Sequence, residues 1–221
     1  MDMFIIIVSF VITLGAQAYI NSMYKKTKKI NVECGMTGAD VARMILDKNG
    51  LNNVKIHEAS GLLSDHYDPR NKTVNLSPEV FCKASVAAVS VAAHECGHAI
   101  QDKNDYFFLR FRNSIVPLVN IASYLGYVSI LIGLFMGVFG FIWLGIIMEF
   151  VILFFQVITL PVEFNASNRA LTNLYDLHIV TDKEIVYSKK MLFAAALTYV
   201  ASVATAILQV IRLLLMAKRN D

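Results

Sequence analysis

The chain has 221 residues, 56% of them hydrophobic and 17% charged, and its mean hydropathy is positive. That composition excludes disorder and makes a membrane protein the leading class. The net charge of +3 is small and its basic residues are scattered, so no nucleic-acid partner is expected.

Residues 4–23, "FIIIVSFVITLGAQAYINSM", carry no charge and are long enough to cross a hydrocarbon core of ~30 Å. "AQA" resembles the small-x-small cleavage site of a signal peptide. However, the Met-Asp-Met start lacks a basic residue, and the cluster "KKTKK" at 25–29 follows the apolar run, as it does after a retained helix. Thr37 with Asp40 marks a helix start, "VARMIL" supplies its apolar face and Gly50 a stop. "NVKIHEA" and "KTVNLS" predict short strands around the turn "DPRN", and Ser77-Pro78 opens another helix. Cys34, Cys82 and Cys96 form no paired framework, which suggests reduced thiols and a cytosol-facing domain.

The run from Ala84 to Asp102 is predicted helical and contains "VAAHECGHAIQ". His94 and His98 are four residues apart, so both imidazoles project from one helix face, the spacing that lets them share a zinc ion. Glu95 lies one step round, where a carboxylate can reach a metal-activated water without ligating the metal. Gly97 removes bulk beside the pair. The plainer alternative, two histidines decorating a helix, sits poorly in an uncharged run where unpaired polar groups are costly.

A catalytic zinc needs a third protein ligand. The metzincin continuation fails, because Gln101 and Asn104 occupy the positions of its glycine and third histidine. No aspartate motif of the intramembrane site-two type appears in a later span. Between Asn113 and Val162 only Glu149 is charged, a length that predicts two spans with a turn near residues 137–140. Glu163 follows as the chain leaves the third span. It is a candidate third ligand; the alternative is an interfacial carboxylate near a helix start, stabilised by the dipole. Residues 191–217 form a fourth span, in which Arg212 can snorkel to the interface.

Four spans with a central hairpin put residues 24–112 and 163–190 on one face. Lys25, Lys26, Lys28, Lys29, Arg110, Arg112, Lys189 and Lys190 flank that face, against Lys218 and Arg219 on the other. The positive-inside rule makes the first face cytoplasmic, with both termini outward.

"YDPRNKTVNLSPEVF", "VAAHECGHAIQ" and "LPVEFNASNRAL" together resemble the bacterial YugP-type neutral zinc metallopeptidases, membrane proteins distantly similar to the gluzincins. The resemblance covers essentially the whole chain. It implies His94, His98 and Glu163 as Zn2+ ligands and Glu95 as the catalytic base. Related gluzincins usually carry an aspartate four residues after the ligand glutamate. Here Ser167 stands there, with Asn165 between, and a serine orients an imidazole more weakly than a carboxylate.

The expected fold class is mainly α: a four-span helical membrane protein with a small α+β zincin-like cytoplasmic domain. A first transmembrane helix covers 1–24 and the metallopeptidase domain 25–112. The transmembrane hairpin takes 113–162, the segment with the third ligand 163–190, the fourth span 191–217 and a tail 218–221. The expected function is zinc-dependent endopeptidase activity on peptide or protein substrates beside a lipid bilayer, with Glu95 as general base. The alternative is a non-catalytic zinc-binding adaptor or regulatory protein, against which the base argues, since a structural site needs none. Transition-state donor candidates are His178, Tyr175, Arg169, His66 and Tyr67. His57 alternates with apolar residues and is expected to face solvent. Glu149 lies fourteen residues before Glu163, about 20 Å along a straight helix, too far to share the metal; Asn120 is a candidate partner.

Overall fold

In a hydrocarbon core every backbone N–H and C=O must be satisfied within the segment, so uncharged runs of this length fold as helices. The computed structural model describes residues 2–61 and 63–220. Its elements run α1 (Asp2–Thr27), α2 (Gly38–Lys48), β1 (Lys55–Glu58), β2 (His66–Asp68), β3 (Thr73–Leu76), α3 (Pro78–Cys82), α4 (Val86–Lys103), α5 (Phe107–Met136), α6 (Phe139–Asp176) and α7 (Asp182–Asn220). The protein is thus mainly helical with a small sheet, and α1, α5, α6 and α7 are long and apolar enough to cross a membrane. The expected turn of the hairpin falls between α5 and α6, where Gly137 adopts φ +67°, a conformation that favours glycine. Residues 163–190 comprise the C-terminal part of α6, a short connection and the start of α7.

Two compact units divide these elements. The span unit holds the chain up to Gln17, Arg110–Pro161 and the chain from Leu197 onward; the site unit holds Ala18–Leu109 and Val162–Ala196. Within the span unit α5 and α6 approach closely at small residues. A Cβ on Gly145 would lie 2.4 Å from Ile130, and one on Gly133 would lie 2.6 Å from Ile142. Close backbone approach of this kind is how spans gain van der Waals packing without a hydrophobic drive between them.

The site unit is organised as water-exposed domains are. Val41, Ile45 and Leu46 of α2, Val74 and Leu76 of β3, Val86, Val89 and Ala93 of α4, and Leu174 of α6 form one buried cluster. Each of the valine, leucine and isoleucine side chains contributes roughly 1.5–3 kcal/mol on burial. Local chemistry sets the ends of the elements. Thr37 and Asp40 form a reciprocal capping box at the start of α2, and Gly50, at φ +65°, follows its C-cap Asn49. Ser77 precedes α3 with Pro78 in its first turn, but its hydroxyl donates to Asp65 at 3.0 Å instead of capping the helix.

The sheet runs β1-β3-β2. β1 and β3, the two expected strands, lie parallel with Lys55 opposite Thr73, so they are not the arms of one hairpin. The hairpin partner of β3 is β2, which pairs antiparallel with Tyr67 opposite Val74 and which the alternation pattern did not predict. The turn between them is closed by Asp68, which accepts from the Arg70 N–H at 2.8 Å and from Asn71 Nδ2 at 2.7 Å.

Candidate metal centre

Ser85 starts α4 by accepting the Ala88 N–H at 3.2 Å. The helix runs from this cap with an apolar back: Val89, Ala92, Ala93 and Cys96 are buried in the cluster. The opposite face carries His94 and His98, one turn apart, their rings 4.8 Å between centroids and nearly perpendicular. Gly97 sits between them, and a Cβ there would lie 2.5 Å from the Ala166 carbonyl. Glycine is therefore required for α4 to approach α6 at the turn carrying Glu163.

Glu163 is buried and aims one carboxylate oxygen at both rings. Its Oε2 lies 3.3 Å from His94 Nε2 and 3.7 Å from His98 Nε2, and the three ligand atoms all lie within 4.8 Å of one another. Tetrahedral zinc with bonds of about 2.0–2.1 Å separates neighbouring ligand atoms by about 3.3–3.4 Å, and the two contacts of Glu163 Oε2 lie near that spacing. The far nitrogens are also engaged. His94 Nδ1 lies 3.2 Å from Ser167 Oγ, and His98 Nδ1 lies 3.0 Å from Gln101 Oε1. With its proton on Nδ1 toward Gln101, neutral His98 turns a bare lone pair on Nε2 toward a carboxylate lone pair. A metal ion between that nitrogen and the carboxylate would satisfy both, and the donor set of two imidazoles and one carboxylate fits zinc.

Glu95 is buried beside this triad, and burial pushes its carboxyl up to about 7. His94 opposes that rise, Glu163 and Asp65 add to it, and the backbone N–H of Tyr67 on β2 donates to the carboxylate. The structure thus brings together His94, Glu95, His98 and Glu163, although Glu163 is 69 residues from His94 in sequence.

The transition-state donor candidates fare differently. Tyr67 reaches Glu95 through its backbone, while its hydroxyl donates to Asp102 at 2.7 Å. Asp102 is buried near the end of α4 and also pairs with Lys72, so β2, β3 and α4 are tied together there. Arg169 donates to Asn165 Oδ1 at 2.8 Å. His66 is exposed and engages Ser64 O and Asn75. Tyr175 is exposed twelve residues along α6 from Glu163, about 18 Å by helical rise, and His178 lies beyond the helix end. His57 is exposed, as expected. Asn120 does not partner Glu149: Asn120 is exposed, and no hydrogen bond joins them among the described residues. The sequence reading missed Gln101 as a partner of His98, although its i, i+3 spacing on the same helix face could have revealed it.

The whole described pattern agrees with a family model described as "Putative neutral zinc metallopeptidase", which matches residues 2–218. The chain belongs to this family of zinc metallopeptidases. Within the family's reach it is 41% identical over 209 residues to "Putative membrane protease YugP" of Bacillus subtilis (strain 168), covering 95% of this chain and 93% of that protein. No solved structure matches the chain.

Proposed function

We propose that this family member is a membrane-bound zinc endopeptidase in which His94, His98 and Glu163 hold the metal and Glu95 is the general base. The observation that carries the reading is the single Glu163 oxygen facing both imidazole Nε2 atoms, with a second, separate carboxylate on the same helix as the imidazoles. A bound zinc ion supplies Lewis acidity, acidifying a water and polarising the scissile carbonyl. Glu95 takes the proton from the attacking water and returns it to the departing amine, a shuttle that needs a carboxylate free of the metal. The Tyr67 N–H holds that carboxylate in place, and the bulk of the buried cluster behind α4 keeps solvent from its back.

Glu95→Gln tests the mechanism. Zinc stoichiometry should remain that of the native protein while cleavage of a peptide library is lost by at least ~100-fold, the scale on which general-base catalysis operates. Undiminished cleavage would remove Glu95 from the reaction.

The eight-to-two lysine and arginine asymmetry supports a site on the cytoplasmic side of the cell membrane. Cys34 is exposed in the site unit. It should react with a membrane-impermeant maleimide only after cells are opened, and labelling of intact cells would reverse the orientation.

A further inference from the structure

Gln101 is fully buried, and its amide is spent on three partners. Its Oε1 lies 3.0 Å from His98 Nδ1, while Nε2 donates to the Val162 carbonyl at 2.8 Å and to Asn165 Oδ1 at 3.0 Å. The direction of each bond is forced. The Val162 carbonyl can only accept. Arg169 can only donate, so Asn165 turns its oxygen toward Arg169 Nε at 2.8 Å and presents that same oxygen to Gln101. Two acceptors therefore fix the NH2 end of Gln101, and its oxygen has to face His98. A neutral His98 must then carry its hydrogen on Nδ1, which leaves Nε2 bare on the side of Glu163.

We propose that Gln101 is a positioning residue for the metal centre, setting the tautomer and ring plane of His98 and tying that imidazole to the turn of α6 that carries Glu163. The proposal rests on the zinc-site reading given above. Val162 directly precedes Glu163 and Asn165 lies two residues beyond it, so one side chain fixes the spacing of two ligands that are 65 residues apart in sequence. His94 has no equivalent lock. Its Nδ1 partner is the Ser167 hydroxyl, which can donate or accept and so leaves the tautomer open.

The test uses full-length protein in detergent, titrated with zinc against a competing chelator and with Co2+ followed by its visible d–d bands. Gln101→Met keeps the length but removes every hydrogen bond. Gln101→Glu keeps an oxygen opposite His98 Nδ1 and gives up the donor to Val162 and Asn165. Outer-shell partners of this kind are worth roughly 10–100-fold in metal affinity. Gln101→Met should lose zinc affinity on that scale and shift the cobalt bands, whereas Gln101→Glu, which keeps an oxygen at His98 but loses the tie to α6, should fall between Gln101→Met and native in both readouts. Native affinity and an unchanged cobalt spectrum in Gln101→Met would overturn the proposal and leave the zinc site standing. Failure of the native protein itself to take up zinc would overturn the site, and this role with it. If Gln101→Met does not fold, Gln101→Glu decides alone: native affinity and native cobalt bands, with the donor to Val162 and Asn165 gone, would overturn the role.

Discussion

Leu46, Ile45 and Leu174 of the site unit have no exposed surface, while Phe135 and Tyr124 of the span unit are 87% and 73% exposed. The two units are built from similar apolar residues and put them to opposite use. In the site unit apolar side chains leave water by gathering around α2, α4 and β3, and the buried carboxylate of Glu184 accepts the backbone N–H groups of Glu33 and Thr181, each at 2.8 Å. In the span unit a small cluster of Ile142, Ile146, Leu213 and Ala217 is buried, and large side chains such as Ile147 and Phe154 face outward. An outward apolar surface of that extent is stable where the surroundings are lipid. The buried carboxylates Glu95, Asp102, Glu163 and Glu184 lie in the site unit, where hydrogen bonds can meet them.

The sharpest break in this contrast is at Glu163, a buried carboxylate beside two imidazoles. Glu163→Ala should lower zinc affinity by more than ~100-fold, beyond what loss of an outer-shell partner costs. Zinc per protein after dialysis is the measurement, and native stoichiometry would show that the metal sits elsewhere. Packing differs next. Leu46→Ala should destabilise the site unit by about 2–5 kcal/mol in denaturant unfolding, as deletions in a tight core do. Ile147→Ala, on an exposed apolar face, should change stability by less than about 0.5 kcal/mol. Equal losses at the two positions would erase the distinction between the units. Within the site unit the α2 cap should matter less than the core, with Thr37→Ala costing about 1 kcal/mol.

That cap also has a pH signature. The hydrogen bond from the Thr37 side chain, followed by the one from its backbone, holds the Asp40 carboxyl below its usual value. A folded-state pKa below the unfolded one gives stability that is present above the unfolded value of about 4. It is lost as pH falls through the lowered folded value. Native protein should therefore lose more stability than Thr37→Ala over that acidic window, and parallel curves would remove Asp40 from the cap.

Much of the site was legible because its chemistry is local. His94, Glu95 and His98 lie within five residues on one helix, and helical periodicity alone brings the two imidazoles to one face. The cap at Thr37 depends on a side chain reaching a backbone group three residues on. β2 was not legible: three residues long, it carries too little alternation to register and is defined by its pairing with β3. The i, i+3 spacing could have shown Gln101 as a partner of His98, but its other two partners, Val162 and Asn165, lie more than sixty residues away and were not legible.

The sequence by itself determined the four long apolar helices, their charge asymmetry and the paired imidazoles, since hydropathy and helical spacing act over one segment at a time. The tertiary structure decided the rest. It set β1 parallel to β3, sent the Ser77 hydroxyl to Asp65, and packed the turn of α6 bearing Glu163 against Gly97. It also chose which nitrogen of His98 is bare, because that choice depends on acceptors brought in from a distant stretch of chain, and the position of a proton cannot be read from residue order.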